Sequence, residues 1–155
     1  MKSKFYFILI FLVSCVACSK KNTLENPTLI QSLEQVWTAP QTAQKQLQQI
    51  AYDQLNTYEQ HRYALAEAHV QLKLYSTIPP HISTNELAWY FLAQGDAASA
   101  SEAYYIQGAY LNWLGKNTQA MQYLKEAENL ATTPIIRGMT YYKMGRISES
   151  EQLYD

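Results

Sequence analysis

YYIQGAYLNWLGKNTQAMQYLKEAENLA, residues Tyr104 to Ala131, is the stretch that decides the fold. Ala120, Leu124, Ala127 and Ala131 fall at i, i+4, i+7 and i+11, one face of an α-helix. Upstream, Tyr104, Gly108, Leu111 and Leu114 make a second apolar face. Gly108 and Ala120 carry almost no side chain, so two helix backbones can approach closely there. Gly115 suits the left-handed residue that ends a helix, and Asn117 suits the N-cap of the next one. The spacing predicts a helical hairpin. Gly138, Tyr141 and Gly145 repeat the spacing of Gly108, Leu111 and Gly115 thirty residues on. A second hairpin turning at Gly145 is therefore expected, its second helix starting at Ile147 and cut short at Asp155.

Outside this stretch the composition agrees with helices. A chain of 155 residues makes one domain the default, and 48% hydrophobic residues are enough to build a core. Alternating apolar runs and Asn-Gly turns are missing, so strands are not expected. The fold class read from the sequence is all-α. Thirteen tyrosines suit half-buried positions, since the ring buries apolar area while its hydroxyl stays at the rim. Some of them are candidates for a binding surface. The formal net charge is −1, and no basic stripe argues for nucleic acid.

The first fourteen residues read as a targeting segment. Lys2 and Lys4 form a charged start and FYFILIFLV an apolar run, too short for the ~20 residues that span a bilayer. The run ends in Leu12-Val13-Ser14-Cys15, which resembles the bacterial lipoprotein signal; Cys15 is then the lipidated residue and Cys18 the alternative. Acyl chains contribute ~0.8 kcal/mol per buried CH₂, so several anchor stably. Residues 15–26 form a polar tether, and 27–155 the helical domain.

Within that domain, Asn26-Pro27 predicts a helix start, with Ile30, Leu33 and Trp37 inward and Pro40 as an interruption. A second helix over about 41–55 buries Leu47, Ile50 and Leu55. Thr57 and Gln60 read as a capping box for a third, running to about Tyr75 with Ala64, Leu65, Ala68 and Leu72 inward. Pro79-Pro80 sits in a loop, Ser83 with Glu86 starts a short fourth helix, and Gly95-Asp96 ends it and caps the next, with Ser99 and Glu102 as an alternative start.

The hairpin resembles the tetratricopeptide repeat (TPR), a helix–turn–helix unit of ~34 residues. Tyr104 stands at the family's tryptophan position, Gly108 at its glycine, Leu111 at its tyrosine and Gly115 at its turn, with Ala120, Leu124 and Ala127 in register. Gln107 replaces the usual leucine, and Thr132 stands where proline is expected, Pro134 coming two residues late. With the lipoprotein signal, the layout resembles TPR lipoproteins of the Bacteroidetes type. The resemblance implies a TPR-like α-solenoid, a lipid anchor in a bacterial cell envelope and protein–protein interaction; basic residues after Cys18, in place of the acidic run that favours surface export in such lipoproteins, point to a periplasm-facing position. The early end of the last repeat implies a chain that continues past Asp155, making this the N-terminal part of a larger sensor or regulator, or an edge covered by another chain.

No catalytic residue follows from the resemblance, and no HExxH, GxSxG, P-loop or GxGxxG occurs. Enzyme activity, a cofactor and a metal are not expected; His61, His69 and His81 read as surface or rim residues. The resemblance places the partner groove on the first helix of each pair, at Glu102, Tyr105, Ala109 and Asn112, then Thr132, Ile135, Met139 and Tyr142. This face lacks the Lys/Asn clamp that some TPR domains use for a carboxylate, so an apolar or helical peptide is the expected partner.

Overall fold

The computed structural model describes residues 23–152. The expected signal segment and the lipidation candidates Cys15 and Cys18 lie outside the described residues. The described chain is all-helical: α1 (Pro27–Gln35), α2 (Pro40–Leu47), a short 3₁₀ turn (Tyr52–Gln54), α3 (Thr57–Lys73), α4 (Thr84–Ala93), α5 (Ala97–Trp113), α6 (Asn117–Leu130) and α7 (Pro134–Gln152).

Local chemistry sets most of these boundaries. Asn26 Oδ1 accepts from the Leu29 amide at 2.9 Å, and Pro27 fills the first position of α1, as its sequence predicts. Asp96 Oδ1 likewise accepts from the Ser99 amide at 3.0 Å, and Ser83 Oγ from the Glu86 amide at 3.3 Å. Other caps differ from expectation. The α3 capping box is Asn56 with Glu59, one residue earlier than Thr57 with Gln60. Asn56 has the extended backbone a cap needs, and Thr57 is already helical. Lys116, not Asn117, is the N-cap residue of α6; Asn117 is helical and its side chain accepts from Asn112 Nδ2 at 3.0 Å. Pro40 opens α2 at its first position. The α2 helix stops at Leu47, where the amides of Gln49 and Ile50 tighten onto carbonyls three residues back. In α1 the buried positions are Leu29 and Ser32, followed by Val36 just beyond its end, while Ile30 is exposed.

Three helices end in the same way. After α4, the Gly95 amide bonds the Leu92 carbonyl and the Asp96 amide the Phe91 carbonyl. After α5, Gly115 and Lys116 make the same pair with Asn112 and Leu111, and after α3, Tyr75 and Ser76 make it with Leu72 and Gln71. This is the Schellman closure, which needs a left-handed residue. Gly95 and Gly115 supply it at φ 75°, but Tyr75 supplies it at φ 52°.

Two buried clusters share α3. One holds Leu29, Val36, Ala43, Leu47, Leu55, Ala66 and Val70. The other runs from Leu65 and Ala68 through Phe91, Ile106 and Leu124 to Ile147. In the second, Gly108 does what its sequence context requires. A Cβ there would lie 2.7 Å from Leu124 Cγ and 3.0 Å from the Ala120 carbonyl oxygen. Ser101 Oγ adds a buried bond to the Ala127 carbonyl at 2.6 Å.

The first cluster is closed by Glu59, which is buried. Its Oε1 accepts from the amides of Glu25 and Asn26, both at 2.7 Å, and its Oε2 from Asn56 at 3.1 Å. Burial pushes this carboxyl up, but the three amides, Asn26 first, outweigh it and hold it below its ordinary 4.5.

Each helix packs on the next, and α1 also packs on α3, α3 on α5, and α5 on α7. The odd-numbered helices thus form one row, and each even-numbered helix packs on the odd-numbered helices before and after it. The expected second hairpin is not formed. The α7 helix runs without a break through Gly145. Gly138 meets nothing within 4 Å of a built Cβ, and Tyr141 is exposed. Ile136, Thr140 and Ile147 face inward instead. A glycine turn needs a positive φ, which among the described glycines only Gly95 and Gly115 adopt.

Candidate functional site

The row of odd-numbered helices carries two hollows. The first, about 410 Å³, lies between Leu24, Leu33 and Trp37 on one side and α3, α5 and α7 on the other. Its wall is a chain of polar side chains joining α3 to α5. Tyr58 Oη donates to Asp96 Oδ2 at 2.7 Å; Ser99 Oγ donates to the same oxygen and accepts from Arg62 Nη1. Arg62 Nη1 stands 3.8 Å from Glu102 Oε2, and His69 Nδ1 lies 2.7 Å from Glu102 Oε1. The carboxylate can only accept, so the imidazole proton sits on Nδ1.

Burial pushes the Glu102 carboxyl up, but the His69 hydrogen bond and the nearby Arg62 guanidinium hold it below the ordinary carboxylate value. Asp96 is held low in the same manner, against burial, by Ser99 and Tyr58. Burial and the Asp96 charge together push the Tyr58 phenol up to about 12. Ser99 thus bridges the Asp96 carboxylate and the Arg62 guanidinium, and the chain of contacts is a polar strut between α3 and α5.

His69 was expected at a surface or rim and is completely buried. It lies edge-on to Trp37 at 4.2 Å, and its bond to Glu102 is what makes the buried position tolerable. His61 is half-buried, stacked on Tyr90 at 3.5 Å, and His81 is exposed.

The second hollow, about 270 Å³, is formed by the end of α3, the second half of α5 and the middle of α7. Five of the expected groove residues meet here: Tyr105, Ala109, Asn112, Met139 and Tyr142. Glu102 and Ile135 line the first hollow instead, and Thr132 lines neither. The two hollows adjoin through Trp37 and Tyr105, whose rings lie 5.8 Å apart. Tyr105 and Ala109 are only 3% exposed and form a floor; burial pushes the Tyr105 phenol up to about 12. Tyr142 stands on the rim at 62% exposure.

Comparison of the chain with family models, with curated proteins and with solved structures gives no match. Its site is therefore read from geometry alone.

The sequence reading missed part of this hollow. Tyr75 and Trp113 stand exposed at its edge, and Lys73 and Lys143 line it. Burial lowers both lysine pKa values; the Lys143 charge adds to the effect on Lys73, and the Arg146 charge to that on Lys143. Lys73 Nζ also lies 4.6 Å from the Trp37 ring centroid. The expected groove residues include no lysine, and the hollow adds two. Lys73 ends α3 and lies outside the hairpins from which the groove was read, and Lys143 follows Tyr142 on α7.

Among the described residues no helix is long and apolar enough to cross a membrane.

Proposed function

We propose that this protein is a lipid-anchored cell-envelope module of TPR-like helix pairs that holds a protein or peptide partner on its odd-helix face and performs no chemistry. The observation that carries the reading is the second hollow. It has a rigid floor of Tyr105 and Ala109 and a rim of exposed Tyr75, Trp113 and Tyr142. Exposed aromatic side chains around a preformed depression offer contact area at low conformational cost. The alternating packing, with α1, α3, α5 and α7 in one row, supports a solenoid of helix pairs. The Leu12-Val13-Ser14-Cys15 run supports the anchor, with Cys18 as the alternative lipidated residue.

Two measurements test it. Tyr75→Ala combined with Tyr142→Ala removes rim contacts without opening the core, so helicity should be unchanged while partner cross-linking in the envelope is lost. Undiminished cross-linking contradicts the groove assignment. The intact mass of protein extracted from membranes should carry acyl chains on a chain beginning at Cys15 or Cys18; a mass without them removes the anchor.

A further inference from the structure

The second hollow holds two cations and no anion. Lys73 ends α3, Lys143 lies on α7, and both line the same depression. Neither forms an ion pair among the described residues, although the chain has 13 acidic side chains to 12 basic ones. The next basic residue along α7, Arg146, is already paired with Glu149 at 3.6 Å. Like charges brought together at a partly desolvated place repel, and an anion between them removes that cost.

The rim says more about what the anion is attached to. Tyr75, Trp113 and Tyr142 line the same hollow as the lysines and remain substantially exposed. A free inorganic ion would leave those rings unused. The backbone of Tyr75 adds an independent sign. At the two equivalent helix ends a glycine takes the left-handed conformation, and at this one a bulky aromatic residue takes it, at φ 52°. Strain of that kind is kept where the side chain is needed.

We propose that the hollow takes an acidic peptide segment, its Asp or Glu carboxylates between Lys73 and Lys143 and its flanking apolar side chains against Tyr75, Trp113 and Tyr142. The inference deepens the partner-binding reading above and rests on it. It replaces the expected apolar peptide with one whose charge is essential.

The test is calorimetric titration of the detergent-solubilised full chain with two capped peptides of the same shape, Phe-Glu-Phe-Glu and Phe-Gln-Phe-Gln, and with inorganic phosphate. The acidic peptide should bind at least about tenfold more tightly than the neutral one. Lys143→Gln should erase that difference while leaving the neutral peptide's affinity and the helicity unchanged. Tyr142→Ala should weaken both peptides. Equal binding of the two peptides overturns the acidic assignment and leaves the groove reading standing. Binding that phosphate reproduces alone, insensitive to Tyr142→Ala, marks a small-anion site and overturns the peptide. Failure of both peptides to bind overturns the inference and the groove reading together.

Discussion

The core around α1 and α2 and the core around α4 to α6 share helix α3, and they are closed by opposite means. In the second, two helix backbones touch: Gly108 faces Leu124 and Ala120 with no room for a methyl group. In the first, helices of nine and eight residues meet without a glycine, and a buried carboxylate ties the start of α1 to the start of α3. Close packing of backbones is nonpolar and leaves a mark on composition, since only small residues fit. A carboxylate that holds backbone amides leaves none, because any residue except proline can supply an amide. The difference explains why one region is legible and the other is not.

The sharpest way to break the comparison is to fill the seam. Gly108→Val should cost about 3 kcal/mol in chemical denaturation, since a packed core has nowhere to put the added atoms. Gly138→Ala is the control. It has open space around it and should raise stability by up to about 1 kcal/mol through helix propensity alone. Equal losses at the two positions would mean that the thirty-residue repeat, not the observed packing, describes the molecule.

The clamp is tested next. Glu59→Gln should cost about 2 kcal/mol near neutral pH, because a charged acceptor of three amide bonds is lost. The folded Glu59 carboxyl titrates below its ordinary 4.5, so its contribution is fully present above that value and fades as pH falls through the folded one. The gap between wild type and Glu59→Gln should therefore close in acid. A gap that stays constant from neutral pH to well below 4.5 contradicts the assignment.

The smallest effect is at Tyr75. Tyr75→Gly should relieve left-handed strain of ~1–2 kcal/mol and give part of it back to unfolded-chain entropy. A net gain of about 0.5 kcal/mol in thermal melts is expected. A loss of stability would mean that the ring makes contacts that outweigh the strain of its backbone.

How much the sequence tells follows the same division. The turns at Gly95 and Gly115, the caps at Asn26, Ser83 and Asp96, and the inward face of Ala120, Leu124 and Ala127 are all local signals, and the fold obeys them. Gly145 carries the same local signal and is helical, because Ile147 further along α7 is drawn into the core and holds the helix straight. Of the residues lining the second hollow, those on α5 and α7 other than Trp113 and Lys143 are named from the repeat resemblance. The lysines are not, since Lys73 reaches the hollow only through the packing of α3 on α5. The strut from Tyr58 to His69 was illegible for the same reason: its members lie 33 to 38 residues apart across two helices.

The continuity of α7 carries the account of the fold, because Ile147 is buried in the second core on a helix that runs unbroken through Gly145. Hydrogen exchange of individual amides from Gly138 to Ser150 tests it directly. A continuous helix predicts unbroken protection through Gly145 and Arg146, with every amide bonded four residues back. A gap of fast-exchanging amides from Gly145 onward, as at the start of a new helix, would restore the second hairpin and contradict the straight helix that carries Ile147 into the core.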